Sequence, residues 1–164
     1  MVYNAIIHTV RKVKGQYMTD SDKMNRKIKH LEFIQSNISR MNQCSFKMKG
    51  WMITIDSALL ALFAASIDKN TGSGNTIYLF VAAIPIIIFW ILDSYYLQQE
   101  RKFRGLYNDI VEDLNEDKIK EFSMPLEKYE GCKYCIINIM LSITEWPVYL
   151  LMGIALIIVG LLLK

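Results

Sequence analysis

Two aspartates lie in segments that otherwise carry no ionised group. Asp56 interrupts "MITIDSALLALFAASI" and Asp93 interrupts "IPIIIFWILDSYYL", and each is followed by a serine, Ser57 and Ser94. A carboxylate at bilayer depth is costly unless it meets water or a partner, so such acids face inward and mark pathways or pairs. Asp56 falls about five residues past Trp51, and Asp93 about one turn before its segment ends. In an antiparallel hairpin those depths are similar. One reading makes Asp56, Ser57, Asp93 and Ser94 the lining of a hydrated cation pathway, completed by several copies of the chain. The other has Asp93 snorkelling to the interface or pairing with Arg101 or Lys102, while Asp56 hydrogen-bonds inside a helical bundle. Spacing alone leaves both open.

A second group is basic. Arg26, Lys27, Lys29, His30 and Arg40 recur along a helical pattern, with Lys47 and Lys49 further on. Attraction to anionic lipid accounts for Lys47, Lys49, Arg101 and Lys102. Arg26, Lys27 and Lys29 lie about 25–35 Å from the membrane edge in a continuous helix rising 1.5 Å per residue, beyond a Debye length. Repeated around an oligomer axis, that cluster suits phosphates, with arginine giving bidentate contacts. An oligonucleotide engages such a ring better than a mononucleotide, because each added phosphate meets another subunit.

Other chemistry has little support. His8 and His30 lack metal-ligand spacing, and Cys132-x-x-Cys135 has no second pair to complete a zinc site. "TGSGNT" at 71–76 has no lysine after its glycines and reads as a flexible turn, not a phosphate loop. No Ser/His/Asp or Cys/His set is recognisable. The sequence therefore predicts neither an enzyme nor a metal or cofactor site.

The elements that must position these groups follow from hydropathy. The 164 residues are 52% hydrophobic and 21% charged, with the two kinds segregated into blocks. A crossing takes roughly 20 apolar residues, and three segments qualify: Met48–Ile67, Ile77–Leu97 and Glu145–Leu163. The first two are joined by "DKNTGSGNT", which is short enough to force a hairpin. Residues 1–49 hold ten Lys and Arg and residues 98–144 hold seven, against Lys69 in the hairpin loop and Lys164 at the end. The positive-inside rule then puts the N-terminus in the cytoplasm and the C-terminus outside, with Cys44, Cys132 and Cys135 reduced on the cytoplasmic side. The net charge of +3 is too small to imply a nucleic-acid partner by itself.

Within the charged blocks, Met24, Ile28, Leu31, Ile34, Ile38 and Met41 predict one apolar seam, with His30 and the basic residues opposite. Phe103, Leu106, Tyr107, Ile110, Val111 and Leu114 predict another. "CKYCIINIMLSI" reads as an apolar helix near the interface, and Trp51, Trp90, Tyr95, Tyr96 and Trp146 as interfacial anchors. The expected architecture is all-α: an integral membrane protein with three transmembrane helices and a cytoplasmic helical bundle. Its parts are an N-terminal region 1–47, a transmembrane hairpin 48–97, a cytoplasmic segment 98–144 and a third span 145–164.

The strings "HLEFIQSNISRMNQCSFKMKGWMITIDSALLALFA" and "PIIIFWILDSYYLQQERKFRGLYNDI" carry a resemblance covering about residues 30–112. Here the chain resembles the SLATT-type small membrane effectors of bacterial nucleotide-signalling antiphage systems, a group that includes the membrane channels of Hailong systems. The resemblance implies a homo-oligomeric ion channel, a tetramer being favoured, in the bacterial inner membrane. It also implies control by a nucleotide or single-stranded oligonucleotide from a partner nucleotidyltransferase. The third span and residues 113–144 lie outside the matched part. Two other functions fit the composition: a non-conducting membrane anchor for a soluble defence enzyme, and a holin-like disruptor that needs no ligand.

Overall fold

A computed structural model describes residues 2–68, 74–112 and 122–162, with side chains described from Ser21 onward. All regular structure among them is helical: α1 (Val2–Ala65), α2 (Ile77–Glu112), α3 (Ile136–Met140) and α4 (Trp146–Leu162), with two single 3-10 turns at Leu126–Lys128 and Cys132–Tyr134. Among the described residues, two helices are long and apolar enough to cross a membrane, Ser21–Ala65 within α1 and all of α2, and α4 is a shorter apolar helix of 17 residues.

Helix α1 buries one line of side chains: His30, Ile34, Asn37, Ser45, Met48, Met52, Asp56 and Phe63. Their spacings are threes, fours and sums of these, so a single face is turned toward the neighbouring helix. Helix α2 answers with Ala82, Ile86, Asp93, Ser94, Glu100, Phe103, Leu106 and Ile110. The two form an antiparallel hairpin whose facing ends are tied together at Ser66 and Asn75. Ser66 Oγ donates to the Phe63 carbonyl at 2.7 Å and accepts from the Asn75 backbone N–H at 2.9 Å. Gly74 lies against the Phe63 ring, and a Cβ there would stand 2.7 Å from it. Positions 69–73 of the expected glycine-rich turn lie outside the described residues.

The chain then returns antiparallel to α2. Tyr129 Oη donates to Asp109 at 2.6 Å, Gln98 donates to the Tyr134 carbonyl at 2.6 Å, and the Trp90 indole donates to the Met140 carbonyl at 3.3 Å. Segment 122–145 is thus a strap laid along α2, and α4 continues it over Tyr149 and Leu156. The strap crosses α2 at Gly105, where a Cβ would meet Tyr134 Oη at 2.6 Å and Tyr129 Cδ1 at 2.8 Å. Only a glycine lets those rings come so close.

Two apolar cores result. One joins Ile34, Phe103, Leu106, Ile110 and Tyr129, and the other joins Met52, Ala82, Ile86, Tyr149 and Leu156. The first holds most of the two apolar stripes expected from the sequence; Leu114 and the rest of 113–121 lie outside the described residues. The α1 seam is rotated from its expected position: Met24 and Ile28 are about half exposed, whereas His30 is buried. His30 stands one turn before Ile34 on the buried line, and the Phe122 ring packs 5.6 Å from the imidazole. The helix expected over "CKYCIINIMLSI" shrinks to the five residues of α3. Trp90 takes up the Met140 carbonyl there, and Ser142 and Thr144 hydrogen-bond each other in the turn that follows.

Candidate functional site, a buried ion cluster where three helices meet

Between the two cores lies a polar layer. Helix α1 supplies Ser45 and Lys49, one turn apart on the same face. Helix α2 supplies Asp93. Glu145 comes from the turn before α4, held by its own backbone N–H bond to the Ser142 carbonyl at 2.9 Å, and Tyr149 sits one turn further on.

Lys49 Nζ is the centre. It lies 2.5 Å from Asp93 Oδ2, 2.9 Å from Glu145 Oε1 and 3.2 Å from Ser45 Oγ. Tyr149 Oη donates to the same Asp93 oxygen at 2.7 Å. Asp93 is fully buried, Glu145 is 2% exposed, and the Lys49 side chain keeps 18% of its surface. Asp93 Oδ1 and Glu145 Oε2 have no hydrogen-bond partner among the described residues. At such burial the interaction of each carboxylate with the ammonium must offset a desolvation penalty of several kcal/mol per ion. The arrangement pins three separate chain segments at one level.

Asp93 and Ser94 are thus at the site, but not as the sequence readings had them. Asp93 neither snorkels nor pairs with Arg101 or Lys102; its cation is Lys49, across the hairpin. Ser94 is buried and donates to the Trp90 carbonyl at 2.7 Å, a bond within its own helix. Trp90, expected as an interfacial anchor, stacks on Tyr149 at 5.7 Å and so belongs to the α4 contact. Asp56 is fully buried about two turns further along α1 than Lys49, so it is not level with Asp93 as the hairpin spacing had suggested. Its two carboxyl oxygens have no partner among the described residues. Ser57 is exposed and separate from the others.

The basic group is spread out. Arg26 and Lys29 are exposed and line a recess of about 420 Å³ with Asp22 and Asn25. Lys27 is half-buried, and Arg40 donates to the Asn37 side-chain oxygen. His30 leaves this group for the interior, contrary to the face expected for it. The described residues contain no group of three or more His, Cys, Asp or Glu placed to hold a metal ion. Cys44, Cys132 and Cys135 are free, and Cys135 immediately precedes α3.

Sequence reasoning missed Lys49, Glu145, Tyr149 and Ser45 as site residues. One sign was available: Lys49, Asp93 and Glu145 each flank an apolar segment at the end that a three-span topology places on one side. Compared with models of protein families, with curated proteins and with solved structures, the chain matches none.

Proposed function

We propose that the chain is the subunit of an oligomeric membrane channel, the effector of a bacterial antiphage system, gated by a nucleotide or oligonucleotide from a partner nucleotidyltransferase. Asp56 carries this reading. It is a buried acid in the apolar half of a membrane-length helix, and neither of its oxygens has a partner among the described residues. A group so costly to bury without compensation is characteristic of ion and proton paths. The outer faces add support: Phe80, Ile84 and Ile87 on α2 and Leu151, Ile154 and Leu161 on α4 are exposed and apolar, as lipid contact requires.

In this reading α1, α2 and α4 cross the inner membrane, with the N-terminus and the first apolar core in the cytoplasm and the C-terminus outside. Four copies surround the path. The exposed cations around Arg26 and Lys29 receive phosphates. A non-conducting anchor is the second reading, favoured by the way Lys49 and Tyr149 take up Asp93 in a purely structural cluster. The experiment is expression in bacteria with a voltage-sensitive dye, with and without the partner nucleotidyltransferase. Depolarisation that depends on Asp56 and responds to the partner supports a gated channel. Unchanged potential in cells with correctly inserted protein supports the anchor, and depolarisation indifferent to the partner supports a holin-like disruptor.

A further inference from the structure

The polar layer contains two carboxyl groups and one ammonium, and the count does not balance. With all three ionised, the site would carry a net negative charge among residues with almost no solvent contact: Asp93 at 0% and Glu145 at 2% exposure. Both carboxylates touch the same Nζ, at 2.5 and 2.9 Å, so they stand close enough to repel strongly. Each also keeps one buried oxygen without a partner among the described residues. Among the described residues, the ionisable groups facing the site are Lys49 from α1, Asp93 from α2, Glu145 from the strap and Tyr149 from α4. The phenol already donates its hydrogen to Asp93. One further unit of positive charge is required.

We infer that this charge is a proton: Asp93 and Glu145 share one, and holding it is a condition for docking α4 on the helical hairpin. A metal ion fits less well, because Lys49 already occupies the position between the carboxylates. The described residues also gather no third acidic, histidine or cysteine ligand. Two carboxyl groups held together commonly retain a single proton, which belongs to the pair and not to either residue. With it the site is neutral: one ammonium, one carboxylate and one carboxylic acid. When the proton leaves for solvent, the buried site becomes negative and its hold on Glu145, and through Glu145 on α4, weakens. The device therefore favours docking at low pH and loosens it as pH rises. It is independent of whether the chain conducts ions.

Infrared spectroscopy of the purified full chain in detergent reads the proton directly, through the carbonyl stretch of a carboxylic acid. Asp56 is replaced first (Asp56→Asn), so that its own buried carboxyl does not contribute. At pH 7 exposed carboxyls are ionised, and this D56N chain is expected to show one carboxylic-acid band per molecule. Both Glu145→Gln and Asp93→Asn, added singly, abolish the band, because the remaining carboxylate pairs with Lys49. Lys49→Met doubles it, since both acids then take protons. Raising the pH bleaches the band and speeds hydrogen exchange over residues 146–156, after correction for intrinsic rates, and Glu145→Gln removes that dependence. A folded D56N chain without the band overturns the inference, as does a band that survives both single substitutions. Should Lys49→Met fail to fold, the two carboxyl substitutions decide.

Discussion

Lys49→Met should be the most damaging single substitution on the hairpin. The ammonium holds Asp93 and Glu145 at 2.5 and 2.9 Å, and methionine keeps its bulk while removing the charge. Two acids at 0% and 2% exposure then lose the cation they share, and one must take up an extra proton or stay charged in an apolar setting. Breaking a buried ion pair by removing one partner typically costs about 3–5 kcal/mol. Replacing all three charges with apolar groups (Lys49→Met, Asp93→Leu, Glu145→Leu) removes the imbalance and should return stability to within about 1–2 kcal/mol of the starting protein. Lys47→Gln, at an exposed position, is the control and should shift stability by about 0.5 kcal/mol or less. The assay is unfolding of the purified chain in mixed micelles, followed by far-ultraviolet circular dichroism. A Lys49→Met chain within about 1 kcal/mol of the parent, the range of an exposed ion pair, would refute the reasoning.

Gly105→Ala should lift the strap, because its Cβ would stand 2.6 Å from Tyr134 Oη and 2.8 Å from Tyr129 Cδ1. A cost of about 1–3 kcal/mol is expected for such overpacking, with faster hydrogen exchange over residues 124–135; unchanged exchange would contradict it. Tyr129→Phe removes the 2.6 Å bond to Asp109 and should cost about 1 kcal/mol. Burial, reinforced by the Asp109 carboxylate, pushes the Tyr129 phenol above its ordinary value. Its contribution is therefore complete below the ordinary phenol range near pH ~10 and falls only above it, so strap protection should persist to at least that pH. Under the proposed function, neutralising Arg26, Lys27 and Lys29 together should abolish the response of ion flux to single-stranded oligonucleotides without changing membrane insertion. Retained control would move the ligand site elsewhere in the chain.

What the sequence made legible was whatever depends on local period. The apolar stripes through Ile34 and through Phe103, Leu106 and Ile110 follow from spacing, and they meet in one core. That Asp93 faces inward was legible too, because an acid inside an apolar segment must turn to a partner. Its cation was not: Lys49 lies 44 residues earlier, and nearby Arg101 and Lys102 offered a local pairing that α2's helical phase does not use. His30 was misplaced for the same kind of reason. Its neighbours Arg26, Lys27 and Lys29 suggested an exposed face, although it stands one turn before Ile34 on the face that packs inward, where the Phe122 ring lies 5.6 Å away. Glu145 marked the start of a span in the sequence and gained a role only once Lys49 and Asp93 came to the same level.

Ion flux through the purified full chain in planar bilayers tests the central proposal most directly, with the Asp56→Asn chain compared at equal insertion. The proposal predicts discrete cation currents from an oligomer, with conductance or cation preference altered by Asp56→Asn while assembly is unchanged. A correctly inserted oligomer that passes no current would contradict it, as would currents that Asp56→Asn leaves untouched.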